Sequence, residues 1–134
     1  MISTKGRYAL RVMIDIAEHG GVSVPLKDVA ERQQISKKYL EIILKDLVRG
    51  DLIKGCSGKG GGYTLTRKPS EYDVGEILQL TEGTLASVAC LAEGAAECPR
   101  KNACETLPMW VEFDRMVHDY FHSKKLSDLL GDGK

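Results

Sequence analysis

Through the first fifty residues, apolar side chains return every three or four positions, a helical period broken twice. Tyr8, Ala9, Val12, Met13, Ile16 and Ala17 share one face of a helix that Ser3 or Thr4 can cap and Gly20–Gly21 stops. A second, short helix begins near Pro25 and is expected to bury Leu26, Val29 and Ala30. Gln33, Gln34 and Ile35 form a tight connection, and Ser36 is suited to cap a third helix. That helix is expected to bury Leu40, Ile43, Leu44, Leu47 and Val48 and to end at Gly50. Two helices joined this closely, the second with a polar N-terminal end, make the helix-turn-helix pattern. The period then changes to two: Leu52–Lys54 and Tyr63–Thr66 read as paired strands.

Between the strands lie Gly55, Cys56, Ser57, Gly58, Lys59, Gly60, Gly61 and Gly62, a loop able to approach another backbone and to adopt positive φ. A helix-turn-helix followed at once by such a hairpin predicts a winged helix. The glycine run is not a phosphate-binding loop, since it lacks the Gly-x-x-x-x-Gly-Lys-Ser/Thr spacing and leads into a strand. Lys68-Pro69-Ser70 reads as a boundary. Asp73 and Glu76 resemble a capping box for a helix carrying Val74, Ile77 and Leu78 and ending at Gly83. Pro108 fits the first turn of a helix running to about Lys124, whose stripe is Trp110, Phe113, Val117, Tyr120 and Phe121. This stripe either covers the N-terminal core or forms a dimer seam, and the seam suits an aromatic-rich face. Ser127 can cap a last short turn. The expected fold is therefore mainly α with a small β-hairpin wing. It comprises a winged helix-turn-helix head (1–69) and a helical region (70–134) with a cysteine segment (90–104) and a long dimerisation helix (about 107–124).

Charge sharpens this picture. The net charge is +0, yet residues 1–69 hold 13 Lys or Arg against 7 Asp or Glu, while residues 70–134 hold 6 against 12. A basic head beside an acidic remainder is the footprint expected of a phosphate-binding face, although a solvated helical surface has the same composition. No apolar run suits a membrane span, and Arg7, Arg11 and Asp15 interrupt what would be a signal peptide's apolar core. A cytoplasmic protein is expected, and clustered thiols there more often bind metal or do redox chemistry than form structural disulfides.

Cys90, Cys98 and Cys104 fall in a polar, small-residue segment with the spacing Cys-x7-Cys-x5-Cys. Such a segment has little to bury, so its thiols call for a chemical role. Three thiolates suit a soft metal or an iron–sulfur cluster. Zinc, a thiol–disulfide switch (Cys98 with Cys104) and unliganded thiols are the alternatives. Cys56 stands alone. No nucleophile–base pair or substrate-binding motif appears, so no enzyme and no small-molecule substrate are expected; a small iron–sulfur redox protein is the remote alternative.

Taken together, Ser3–Leu10, Val24–Arg32, Ile35–Glu41, Gly58–Leu65 and the three cysteines resemble the iron–sulfur cluster regulator family of bacterial winged helix-turn-helix transcription factors. That family is typified by IscR, and the cysteine spacing is closest to its iron-responsive, RirA-like branch. The resemblance covers nearly the whole chain. It implies a homodimer on a double-stranded DNA operator, probing the major groove with Ser36, Lys37, Lys38, Tyr39 and Glu41. The wing, through Ser57, Lys59 and Gly60, would reach the minor groove. It also implies a cluster on Cys90, Cys98 and Cys104 that senses iron, oxygen or nitric oxide and controls a regulator, most simply a repressor. Two positions depart from the family: Ser57 replaces an Arg before the wing glycines, and Leu107 replaces a ligating His. Without that His, [4Fe-4S] is favoured over [2Fe-2S], and Glu105, Glu97 or a partner-subunit residue is left as the fourth ligand. His118 and His122 are expected at the surface.

Overall fold

The computed structural model describes residues 2–58, 60–88, 91–92 and 105–131. Its elements are α1 (Thr4–Ala17), α2 (Leu26–Gln33), α3 (Lys37–Arg49), β1 (Ile53–Cys56), β2 (Gly62–Leu65), α4 (Val74–Glu82) and α5 (Leu107–Ser123), with short 3-10 turns at Pro69–Glu71 and Leu126–Leu129. The helix starts follow local chemistry. Ser3 Oγ accepts from Gly6 N at 3.3 Å, and Asp73 and Glu76 close a capping box in which Asp73 Oδ1 accepts from Glu76 N at 2.7 Å. Pro25 sits at the N-cap of α2 rather than inside its first turn.

α1, α2 and α3 pack around Ala9, Val12, Met13, Ile16, Val29, Leu40, Ile43 and Leu47, all essentially inaccessible. Tyr72, Ile77 and Leu126 belong to the same apolar cluster, so the chain beyond the hairpin closes the head's core. Val48 departs from expectation: it is 43% exposed. Leu44 and Leu47 already fill the inward seam, and Val48 lies at the helix edge facing solvent. Ser127 lies inside the last turn rather than capping it, because Asp128 Oδ2 accepts from Lys125 N at 2.8 Å and starts the turn earlier.

The hairpin is antiparallel, pairing Ile53 with Leu65 and Cys56 with Gly62. Tyr63 also exchanges backbone hydrogen bonds of 2.9 Å with Val24, fastening the wing to the segment before α2. Gly62 is required there, since a Cβ would collide with the Val24 backbone.

An ion pair between the buried carboxylate of Asp15 and the exposed Arg32 locks α1 to α2. Asp15, 3% exposed, accepts from Arg32 Nη2 at 2.7 Å, Arg32 Nε at 3.0 Å and Gln33 Nε2 at 2.8 Å. Burial alone would raise the Asp15 carboxyl, but these hydrogen bonds and the charges of Arg32 and His19 hold it below the ordinary value. Glu76 behaves alike: burial raises it, and Arg67 with the Asp73 backbone outweighs that. A lowered folded-state value contributes stability above the unfolded value of about 3.9–4.3 and loses it as pH falls through the folded value. Thermal melts should therefore be level from neutral pH to about pH 5 and fall below about pH 4. Asp15→Asn should cost about 2 kcal/mol at neutral pH and flatten that acid limb. An acid limb of unchanged steepness in the variant would assign the loss to other groups.

Candidate nucleic-acid interface

The connection from α2 to α3 turns at Gln34, whose φ of 55° is left-handed, and Ile35 N then donates to Ala30 O at 3.1 Å. Arg11 of α1 reaches across to Gln33, donating from Nε to Oε1 at 3.1 Å and from Nη2 to the backbone carbonyl. The turn is thus pinned from α1, which fixes how α3 projects. Ser36 caps α3, its Oγ accepting from Tyr39 N at 3.2 Å. Lys37, Lys38 and Glu41 are exposed beside that terminus. Tyr39 is half-buried, its ring edge-on to Tyr8 at 5.8 Å, while the Arg11 guanidinium lies 4.9 Å from the Tyr8 ring centre.

The exposed side of α3 continues through Ile42, Lys45, Val48 and Arg49, following Lys38 and Glu41 at helical spacing. A shallow groove runs along it to Tyr63 of β2. Ile42 and Lys45 escaped the sequence reading, although they occupy the face opposite Leu40, Ile43 and Leu47. At the wing, Ser57 and Gly60 are exposed and Gly60 has φ 79°, while Lys59 lies outside the described residues. A helix terminus with free N–H groups and two Lys can bind phosphate, and Glu41 can accept from a cytosine amino group.

α5 is unlike the other helices because none of its 17 residues is buried. Met109 (53% exposed), Met116 (64%) and Tyr120 (59%) stand out, with Val111 and Phe113 also exposed. Trp110, Val117 and Phe121 are half-buried. The helix packs on α4 and on the segment after it, where Ser87 N donates to Asp114 Oδ1 at 3.0 Å, and just past its C-terminal end Val74 N of α4 donates to Lys124 O at 2.8 Å. His122 is not a surface residue as expected: its Nδ1 is 2.9 Å from Asp73 Oδ1 and its side chain is 28% exposed. Its ring occupies the place where a Cβ on Gly75 would stand, 2.6 Å from the nearest ring atom, so the glycine makes the room. His118 is 64% exposed.

Cys90, Cys98 and Cys104, with Glu97, lie outside the described residues. Among the described residues no three His, Cys, Asp or Glu side chains converge on a possible metal site. Cys56 is a free, half-buried thiol at the end of β1.

Residues 2–132 match the Rrf2 family, described as iron-dependent transcriptional regulators. The chain belongs to the Rrf2 family. The protein rrf2 of Nitratidesulfovibrio vulgaris is 36% identical over 132 residues, spanning 98% of this chain and 87% of that protein. The HTH-type transcriptional regulator IscR of Vibrio atlanticus is 32% identical over 134 residues, 99% of this chain and 76% of that one. Among solved structures, T. potens IscR superposes with a TM-score of 0.78 at 31% identity, covering 100% of this chain and 88% of that one. CymR, the global cysteine regulator of B. subtilis, gives 0.77 at 34%, covering 96% and 95%. As an Rrf2-family member the chain is a DNA-binding transcriptional regulator of winged-helix fold and not an enzyme. No helix among the described residues is long and apolar enough to cross a membrane.

Proposed function

We propose that this Rrf2-family regulator binds a two-fold DNA operator as a homodimer, most simply as a repressor. In this reading Cys90, Cys98 and Cys104 hold an iron–sulfur cluster that sets its affinity. The observation that carries the dimer is α5, a helix rich in large apolar residues with none buried in the single chain. Burying that face against its own copy removes the exposed apolar area and sets two α3 helices at a fixed separation. Ser36, Lys37, Lys38, Tyr39 and Glu41 then address the major groove, and Ser57, Lys59 and Gly60 the minor groove.

The iron-dependent description of the family and the three soft donors support the cluster. With Leu107 unable to ligate, [4Fe-4S] is favoured and one iron is left for a weaker ligand. When bound, the cluster supplies an oxidant- and iron-sensitive crosslink among the three thiolates. Cys104 lies three residues before α5 and Cys90 seven residues after Gly83, so tethering them constrains how α5 leaves α4. Protein purified without oxygen should be brown and contain iron. The Cys90, Cys98 and Cys104→Ser triple variant should be colourless, still dimeric, and altered in operator affinity by about tenfold or more. Equal affinity of the two proteins would sink the sensor reading.

A thiol switch is the second reading, favoured by a similar solved structure: Staphylococcus aureus CymR in an oxidized form, 31% identical with a TM-score of 0.75. Iron-free wild type whose DNA affinity changes reversibly between peroxide and dithiothreitol would establish it. Colourless protein with stoichiometric zinc would instead assign the thiolates to a tetrahedral metal.

A further inference from the structure

Ile42 is 48% exposed in the middle of α3, where a β-branched residue gives up side-chain freedom and gains no core contact. It shares the groove with Leu44, Val48 and Tyr63, and Lys38 lies one turn before it, Glu41 beside it and Lys45 almost one turn after. A narrow apolar strip set between two Lys is poorly suited to a protein interface, whose centres are depleted in Lys. It suits a polyanion that offers apolar points of its own. Only one group on the major-groove edge of DNA has that character, the C5-methyl of thymine.

We propose that Ile42 is a specificity-determining residue that packs on a thymine methyl in the operator's major groove, next to the base that Glu41 addresses. This rests on the DNA-binding reading and adds to it a base identity. It predicts that α3 selects a thymine by contact with its methyl rather than by hydrogen bonding.

The probe is a duplex enriched from randomised DNA by the full wild-type chain, followed by fluorescence anisotropy with each thymine replaced singly by deoxyuridine. One replacement per half-site should weaken wild-type binding about fourfold, the size of one buried methyl group. Ile42→Ala should bind the parent duplex about fourfold more weakly and be indifferent to that replacement. Ile42 is exposed, so the variant should fold as wild type does. Indifference of the wild type to every replacement would overturn the proposal, as would equal losses in wild type and variant. A change in sedimentation of Ile42→Ala with the deoxyuridine effect intact would move Ile42 to a protein contact. Failure of the wild type to enrich any sequence would sink the DNA reading itself, an outcome distinct from these.

Discussion

Tyr72→Phe is expected to destabilise the protein by about 3 kcal/mol, although it removes one oxygen and leaves the ring in place. Tyr72 is fully buried. Its hydroxyl donates to Leu52 O at 2.6 Å and accepts from Thr66 N at 2.9 Å and Arg67 N at 3.0 Å. Leu52 precedes β1, and Thr66 and Arg67 follow β2, so one hydroxyl ties both ends of the wing. Removing it takes the acceptor from the Thr66 and Arg67 N–H groups and leaves the Leu52 carbonyl only the longer 3.4 Å bond from Thr66 Oγ1, each loss costing about 1–3 kcal/mol before relaxation. The melting temperature should fall by roughly 10 °C for a chain of this size. The Arg67 guanidinium, 4.3 Å from the Tyr72 ring centre, keeps its stacking and its bonds to Glu76, which separates the hydroxyl's effect from the ring's. An unchanged melting temperature would show that the wing base is held elsewhere. DNA affinity should fall along with stability, because the wing would lose its fixed stance beside α3.

Placing charge on α5 should have the largest functional effect. Phe113 is 41% exposed and Tyr120 59%, so replacing both by Glu should leave each chain folded, with unchanged helix content by circular dichroism. In the proposed dimer, two carboxylates buried against their copies across a two-fold seam cannot be paired or solvated, and that dimer should dissociate. Losing the second half-site should then lower operator affinity by about 100-fold or more. Sedimentation velocity and anisotropy on the same samples check this. A variant that remains dimeric would place the seam off the aromatic stripe.

The elements were legible where their chemistry is local. Ser3, Ser36 and the Asp73–Glu76 box announce helix starts because each cap acts within three residues of itself. Lys37, Lys38 and Glu41 were legible as a chemically suited set because they match the motif of the resembled family and follow directly on the Ser36 cap. What escaped depends on distant partners. Val48 lies at the edge of the apolar stripe, and which way an edge residue turns is decided by what else fills the seam. Tyr72 reads as one aromatic among polar residues, and its role appears only when Leu52, 20 positions away, comes within reach. His122 was expected at the surface, but a faint signal existed. A glycine early in a helix marks a place where another element presses close, and at Gly75 a Cβ would meet the His122 ring.

That close approach turns α5 into a lever. Its C-terminal end is held at His122 by Gly75 and Asp73 and at Lys124 by Val74, while Leu107 at the opposite end lies three residues after Cys104. The arm between Leu107 and His122 is about 22 Å long, at 1.5 Å per residue. In the proposed sensor, a shift of a few ångströms at the cysteine end that also releases the Asp114–Ser87 hydrogen bond would reach the fulcrum as a rotation of several degrees rather than as a displacement. Asp73 sits at that fulcrum and caps α4, whose Glu76 grips Arg67 at the foot of the wing. Gearing of this kind converts a coarse movement at one end of a helix into a fine adjustment of aim at the other.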